Sequence, residues 1–159
     1  MKSTTLCYIE KDGRYLMLYR NKKKNDPNKG KWIGVGGRIE EGETPEEGVK
    51  REVFEETGLT LTSFTRRSVI HFGSDTWEDE IMYLFTADGF EGEIRECPEG
   101  ELKWVEISSV PSLNLWEGDK IFLSRLTESR VPFLLDLNYE GDRLADYRLR
   151  DCGNGIMKL

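Results

Sequence analysis

Histidine and cysteine are scarce in this sequence, and their scarcity narrows the chemistry that it can perform. The 159 residues include one histidine, His71, and three cysteines, Cys7, Cys97 and Cys152. A single imidazole argues against a histidine-rich zinc site and against a Ser-His-Asp triad. The thiols are odd in number and far apart, so we interpret them as free packing residues. Acid–base chemistry is therefore expected to fall to carboxylates.

Long apolar runs and an excess of positive charge are also missing. No segment has the length and hydrophobicity of a membrane span, and residues 1–10 lack the basic-then-apolar layout of a secretory signal. The chain carries 23 Lys and Arg against 30 Asp and Glu, a net charge of −7, which disfavours binding to polymeric nucleic acid. No repeat or linker divides it. We expect one cytoplasmic domain over residues 1–159, without a membrane partner.

Capping signals and apolar alternation predict the secondary structure. Thr44 and Glu47 form a capping box, Pro45 suits the first helical position, and Gly58 provides a stop, which predicts a helix over about 45–57. A second helix is predicted over residues 119–126, with Asp119 as its N-cap. Strands are predicted at 6–10, 15–19, 68–72, 81–87, 102–107, 132–139 and 143–150, and a short apolar run lies at 32–35. This order predicts an α/β (α+β) layer fold rather than a parallel βαβ array.

The predicted first helix carries an unusual stripe of carboxylates. At helical spacing Glu52, Glu55 and Glu56 fall on one third of the helix surface, where they repel one another. A solvated helix face is the alternative interpretation. A hard divalent cation such as Mg²⁺ would offset the repulsion, hold a diphosphate and activate a bound water. We expect Gly48 to leave room beside this stripe and Arg51 to pair with Glu55.

The same helix has an apolar side, and a glycine-rich segment precedes it. Val49, Val53 and Phe54 are predicted to face a core. The glycines at positions 34, 36 and 37 permit positive φ angles or a close approach of the backbone to a ligand. A tight turn is the alternative interpretation. A glycine-rich loop that leads into an acidic helix favours a phosphate site over a simple turn.

The segment from residue 37 to residue 59 resembles the signature of the Nudix hydrolases. That signature is G-x5-E-x7-R-E-U-x-E-E-x-G-U, where U is aliphatic. All of its fixed positions are present, at Gly37, Glu43, Arg51, Glu52, Val53, Glu55, Glu56, Gly58 and Leu59. The resemblance implies an α/β/α sandwich around a central mixed sheet. It also implies hydrolysis of a nucleoside diphosphate linked to another group, with Mg²⁺ or Mn²⁺ as cofactor.

The resemblance also implies roles for individual residues. Glu52 and Glu56 are expected to be the main metal ligands, and Glu55 a further ligand or a group that orients water. Arg51 is expected to orient the carboxylates and Glu43 to support the loop–helix junction. Two further metal contacts are expected, the carbonyl of Gly36 and a carboxylate from a later loop, Glu99 or alternatively Glu101.

Outside the signature, the chain resembles the MutT-type branch, and within it the oxidised purine nucleotide triphosphatases (8-oxo-dGTP diphosphatases). This resemblance implies that Trp116 stacks on the base and that Asp119 binds its polar edge. Two positions depart from that pattern. Ile33 stands where related enzymes have an asparagine that reads the base, and Gly118 replaces the first of two adjacent acids. Both departures concern the base and leave the phosphate chemistry untouched.

A basic patch surrounds the loop at residues 20–31. From it we select Arg20 and Lys23 as residues that hold the triphosphate. The alternative interpretation is a solvated loop. His71 and Trp77 are expected to line the pocket or to serve a structural role.

The leading functional hypothesis is a Mg²⁺-dependent nucleoside triphosphate pyrophosphohydrolase that acts on oxidised or ordinary purine dNTPs. The alternatives are a Nudix hydrolase of ADP-ribose or of a dinucleoside polyphosphate, a nucleotide-binding module without turnover, and an acidic interaction domain without a ligand. The expected partner is a small-molecule nucleotide. The sequence leaves a monomer and a homodimer equally open.

Overall fold

A computed structural model of the protein describes residues 1–152, which form nine strands, two α-helices and one 3₁₀ helix. In chain order the elements are β1 (Lys2–Lys11), β2 (Arg14–Arg20), β3 (Trp32–Ile33), β4 (Val35–Arg38), α1 (Pro45–Thr57), β5 (Thr60–Ser74), β6 (Glu80–Glu91), β7 (Gly100–Glu106), the 3₁₀ helix (Ile107–Ser112), α2 (Glu117–Glu128), β8 (Phe133–Glu140) and β9 (Arg143–Asp151).

The strands form one mixed sheet, as the resemblance implied. Its order is β3-β2-β1-β6-β5-β8-β9, with β4 paired to β1 and β7 paired to β2. The pairs β1–β6 and β5–β8 are parallel, and the other pairs are antiparallel. The predicted α/β fold with a central mixed sheet is therefore confirmed.

The two helices cover opposite faces of this sheet. Alternate residues of a strand point to opposite faces, and Leu6 and Cys7 of β1 show the division. Leu6 belongs to a buried cluster with Phe122 of α2, whereas Cys7 belongs to a second cluster with Val49 of α1. Two separate apolar cores result, one under each helix. This arrangement is the predicted three-layer sandwich.

Helix α1 has the predicted bounds and caps. The Thr44 side chain accepts the N–H of Glu47, the Glu47 side chain accepts the N–H of Thr44, and Gly58 ends the helix at φ 84°. Phe54, however, does not face a core. It is 48% exposed, and the Arg95 guanidinium lies 4.9 Å from its ring centre. The two valines alone bury the apolar side of this helix.

The second helix differs from its prediction at the N-terminus. Trp116 is the N-cap, and Asp119 is the third helical residue, without a capping role. Strand β5 begins at Thr60, eight residues before the predicted start, because its first half continues the pairing with β6 through three register shifts. The 3₁₀ helix was not predicted.

Three further predictions concern membrane spans, the cysteines and the extent of the domain. None of the helices within residues 1–152 is long and apolar enough to cross a bilayer. Cys7 and Cys97 are buried free thiols, as predicted. The single domain proposed for 1–159 includes residues 153–159, which lie outside the described residues, and that assignment stays a prediction.

Candidate active site

A cleft of about 600 Å³ is lined by the first half of β1, by β4 and by the second half of α1. It contains carboxylates at one end and aromatic side chains at the other. Among the predicted site residues, the lining includes Arg20, Ile33, Gly36, Glu52, Glu56, Glu99, Trp116 and Asp119. Residues from five separate segments of the chain thus meet in one cavity.

Glu56 is the most deeply placed carboxylate of the cleft. It is 7% exposed, and its Oε2 is buried with no hydrogen-bond partner in the described part of the chain. Burial, with the nearby charges of Glu99 and Glu52, raises the pKa of Glu56 to about 8, although the Gly36 N–H acts in the opposite direction. A buried carboxylate oxygen without a partner is costly unless a cation completes its environment.

Glu52 lies one helical turn before Glu56 and faces the same cleft. Burial raises its pKa, and the neighbouring Arg51 partly opposes that shift. The backbone of Gly37 lies directly against this side chain: a Cβ at position 37 would be 2.5 Å from the Glu52 carboxyl carbon. The glycine of the motif therefore makes space for the carboxylate.

Arg51 organises the outer side of the carboxylate cluster. Its guanidinium donates to Glu43 at 2.7 and 2.9 Å, to Glu52 at 2.9 Å and to Glu55 at 3.2 Å. The hydrogen bonds from Arg51 lower the pKa of Glu43 to about 2. Glu43 also accepts the N–H of Glu40 within the loop, and its bonds from Arg51 tie that loop to the helix, the role expected of it.

Glu55 has a different position from the other two carboxylates of the stripe. Its side chain is 55% exposed, it pairs with Arg51, and it is absent from the lining of the cleft. Its role as a metal ligand stays a prediction. The acid that the loop before β7 contributes to the cleft is Glu99.

Two basic residues hold Glu99. Arg20 Nη2 lies 2.6 Å from Glu99 Oε2, and Lys23 Nζ lies 2.6 Å from Oε1. Arg20 lines the cleft, whereas Lys23 is exposed beside it. Within residues 1–152, the acidic, thiol and imidazole side chains do not form a closed set of three or more metal ligands as they stand. The predicted ligands other than Glu55 share one cleft, with Glu99 turned towards the two cations.

The glycine-rich segment works through close approach and not through positive φ. None of Gly34, Gly36 and Gly37 is among the residues with positive φ. A Cβ at Gly36 would lie 2.0 Å from the Thr5 carbonyl oxygen of β1. Gly48 also differs from expectation, because its space is filled by Ile39 and Glu43 and not by a ligand.

The far end of the cleft is aromatic and contains one buried acid. Trp116 donates its indole N–H to Asn28 Oδ1 at 2.8 Å and meets the ring of Tyr139 edge-on. Burial raises the pKa of Asp119 to about 7, although the charge of Lys31 acts in the opposite direction. An acid with this pKa can accept from or donate to a base edge near neutral pH.

Gly118 has a packing reason to depart from the family pattern. A Cβ there would lie 2.7 Å from Leu137 and 2.8 Å from the Tyr139 hydroxyl, which accepts the Gly118 N–H. Ile33 lines the cleft with a side chain that cannot form hydrogen bonds. Of the two adjacent acids of the family pattern, the chain therefore keeps only the second, Asp119, at the aromatic end of the cleft.

Sequence reasoning missed Asn28 and Tyr139 as parts of the cleft. Asn28 lies in a polar loop and Tyr139 near the end of a strand, and nothing local to either residue marks it as a pocket residue. Trp77 was considered for this role, and it does line the cleft while remaining 53% exposed. His71 lies between Asp79 and Asp136, at 3.3 and 3.6 Å, and does not line the cleft.

The three-layer fold and the acidic cleft do not by themselves specify a reaction, and comparison with known proteins gives the class and the family. The NUDIX domain family matches residues 2–126. The chain therefore belongs to the Nudix hydrolases, a family that generally uses divalent metal ions.

Individual relatives narrow the comparison. An oxidized purine nucleoside triphosphate hydrolase of Danio rerio is 32% identical over 93% of this chain and 94% of its own length. The Nudix hydrolase YvcI of Bacillus subtilis is 29% identical over 94% of both chains. A crystal structure of a MutT protein from Bacillus halodurans has a TM-score of 0.84 at 29% identity, covering 94% of this chain and 97% of that one.

Proposed function

We propose that this Nudix hydrolase is a Mg²⁺- or Mn²⁺-dependent nucleoside triphosphate pyrophosphohydrolase that acts on purine dNTPs, with oxidised purines such as 8-oxo-dGTP preferred. Water attacks an internal phosphorus, and the products are a nucleoside monophosphate and pyrophosphate. The biological role that follows is sanitation of the nucleotide pool, in support of DNA repair. The predicted cytoplasmic location and the choice between monomer and homodimer stay predictions.

One observation carries the proposal: a single cleft contains a carboxylate cluster at one end and an aromatic wall with a buried acid at the other. A nucleotide has the matching polarity, with phosphates at one end and a flat purine at the other. Stacking on an indole contributes about 1–3 kcal/mol per base. The name of the Danio rerio relative supports the same substrate class.

The residues present fit a hard divalent cation. Among the described residues, Glu56 has a buried carboxylate oxygen without a partner, and Glu52 and Glu99 offer further carboxylate oxygens in the same cleft. These three carboxylates, with the Gly36 carbonyl, are the groups that would hold the ion, and Glu55 is a further candidate. When bound, the ion neutralises phosphate charge and favours ionisation of a water.

The protein's own groups position the rest of the reaction. Arg51 fixes Glu52 through a 2.9 Å bond and prevents free rotation of that carboxylate. Arg20 lines the cleft, and with Lys23 beside it supplies positive charge for the phosphate chain. Trp116 and Asp119 hold the base, so that the phosphates lie over the carboxylates.

The decisive experiment changes the two deepest carboxylates. Glu52→Gln and Glu56→Gln are each expected to reduce kcat by about 100-fold or more, because an amide cannot replace a carboxylate ligand or base. Glu46→Gln is the matched control, since Glu46 lies on the same helix and pairs with Arg66 away from the cleft. Activity near the wild-type level in both cleft variants would refute the proposal.

Substrate choice needs a separate assay. Rates on 8-oxo-dGTP, dGTP, dATP, ADP-ribose and diadenosine polyphosphates under one set of conditions should rank the oxidised purine first. Faster turnover of ADP-ribose or of a dinucleoside polyphosphate would keep the family and replace the substrate. Nucleotide binding with no turnover of any of these compounds would favour a non-catalytic module.

A further inference from the structure

The loop between β2 and β3 contains a buried acid that the proposed chemistry does not use. The side chain of Asp26 is 2% exposed, and both of its oxygens are occupied. Oδ2 accepts from Arg20 Nε at 2.7 Å, and Oδ1 accepts from the backbone N–H of Asn28 at 3.0 Å. A buried carboxylate with two such bonds is fixed in direction, because losing either bond would leave a buried charge unsatisfied.

The first of these bonds leads to the metal end of the cleft. The guanidinium that donates to Asp26 through Nε also contacts Glu99 through Nη2, at 2.6 Å. Arg20 is only 13% exposed, so its planar fork has little freedom between the two acids. Asp26 thereby sets where Arg20 points, and Arg20 sets where the Glu99 carboxylate lies.

The second bond leads to the aromatic end. The residue whose backbone N–H binds Asp26 is Asn28, and its side-chain oxygen accepts the indole N–H of Trp116 at 2.8 Å. The indole N–H is the one hydrogen-bond donor of the Trp116 side chain, so its bond to Asn28 sets the rotation of the ring. A continuous chain of contacts therefore runs from Glu99 through Arg20, Asp26 and Asn28 to Trp116.

We infer that Asp26 is a positioning residue that sets Glu99 through Arg20 and Trp116 through Asn28, so that the two ends of the cleft keep a fixed spacing. The inference rests on the proposed function, because the spacing matters only if one ligand occupies both ends. Groups that orient a metal ligand from behind change metal affinity by about 10- to 100-fold when removed. A change at Asp26 should therefore affect both ends, whereas a change on one branch should affect one.

The test measures the two ends separately in the full-length protein. Mn²⁺ uptake is followed by electron paramagnetic resonance without nucleotide, and binding of a non-hydrolysable dGTP analogue by tryptophan fluorescence. Asp26→Asn is expected to weaken both affinities by about tenfold. Asn28→Ala is expected to weaken binding of the analogue and to leave Mn²⁺ uptake unchanged, because it breaks only the branch to Trp116.

Glu96→Gln is the matched control. Glu96 lies between β6 and β7 and pairs with Lys22, which belongs to the same β2–β3 loop as Asp26. The Glu96 side chain is 88% exposed and is not part of the chain of contacts. This variant should match the wild type in both affinities. Thermal unfolding shows whether each variant is folded. If Asp26→Asn does not fold, Arg20→Lys replaces it, because an ammonium cannot bridge both acids as the guanidinium does and Mn²⁺ uptake should weaken.

The outcomes separate this inference from the proposed function. Wild-type affinities in a folded Asp26→Asn protein, or unchanged Mn²⁺ uptake in Arg20→Lys, would overturn the inference alone. An equal loss of Mn²⁺ uptake in Asn28→Ala would also overturn it, since the two branches would not be separate. Absence of Mn²⁺ uptake by the wild-type protein would overturn the proposed function and the inference with it.

Discussion

At the scale of single residues, the cleft concentrates acids whose charged forms are disfavoured by burial. Glu56 and Asp119 stand at opposite ends, and burial raises the pKa of both, to about 8 and about 7. Their environments differ. The charges of Glu99 and Glu52 add to the rise in the pKa of Glu56, whereas Asp119 has a cation, Lys31, which lowers its pKa, as well as the carboxylate of Glu80, which raises it. The first arrangement suits a dication, and the second suits a neutral polar ligand such as a base edge.

Asp119 should make the stability of the protein depend on pH. Its pKa is about 7 in the folded protein, above the ordinary aspartate pKa of 3.8, so the folded state retains the proton that the unfolded state loses. Folding stability should therefore fall as pH rises from about 4 to about 7 and level off above that range. Asp119→Asn removes this dependence. Above pH 7 the free energy of unfolding of this variant should exceed that of the wild type by about 2–4 kcal/mol, whereas near pH 4 the two values should differ little.

Urea unfolding at several pH values, without metal, measures this difference. Asp142→Asn is the control, because Asp142 is exposed in the last hairpin. The difference in free energy of unfolding between this variant and the wild type should not grow as the pH rises. A gap between Asp119→Asn and the wild type that stays constant from pH 4 to pH 8 would contradict the assignment of the burial cost to this carboxyl.

At the scale of elements, α1 is specified locally and β4 is specified by its partner. The helix has its capping box, proline and terminal glycine in adjacent residues, which explains why its bounds were predicted correctly. Strand β4 has two glycines in four residues and little strand propensity of its own. It forms because it pairs with β1, where Leu6 stands opposite Gly36.

Gly36→Ala should break this pairing. The added methyl group would lie 2.0 Å from the Thr5 carbonyl oxygen, so the two strands must separate. We expect a loss of at least about 2 kcal/mol in the free energy of unfolding. Mn²⁺ affinity should also fall, because the Gly36 N–H that bonds Glu56 moves with the strand.

Urea unfolding and Mn²⁺ titration check both parts of this prediction. Arg38→Ala is the control on the same strand, since its side chain is 68% exposed and its loss should change stability by less than about 0.5 kcal/mol. Equal stability of Gly36→Ala and Arg38→Ala would show that β4 adapts without cost.

At the scale of the whole molecule, a protein of net charge −7 places several of its acids in one cleft, where Glu56 and Asp119 are buried. Binding of a cation and a polyanion together should relieve this cost and stabilise the folded state. At 100 times the dissociation constant, a ligand adds about 2.7 kcal/mol, which raises Tm by roughly 5–10 °C for a chain of this size.

Thermal unfolding with Mn²⁺ and a non-hydrolysable dGTP analogue tests this expectation. The wild type and Glu46→Gln should both show the rise in Tm, and Glu56→Gln should lose most of it. In chelator above about pH 8, by contrast, Glu56→Gln should melt above the wild type, because the amide replaces a buried carboxylate that is charged in that range and has one oxygen without a partner among the described residues. A lower Tm of Glu56→Gln in chelator would mean that the carboxylate is satisfied without a cation.

The candidate site was predictable where its residues are neighbours in sequence. Glu52 and Glu56 fall on one stripe of a helix, and the resemblance added Gly36 and Glu99, all of which line the cleft. Glu55 shares the stripe but stays outside, because the rotation of α1 against the sheet decides which edge of the stripe faces inward. Periodicity gives the width of a stripe and not its rotation.

The sequence by itself determined the family and the acidic helix with its caps, because these depend on spacing within a few turns of chain. The central mixed sheet was implied by the family resemblance and not by any local spacing. Tertiary structure alone decided the opposite wall of the cleft and the chain of contacts through Asp26. Asn28 and Trp116 are 88 residues apart, and their hydrogen bond exists only because the loop and α2 dock on one side of the sheet. The close approach of Gly36 to Thr5 likewise depends on strand pairing, which no local pattern encodes.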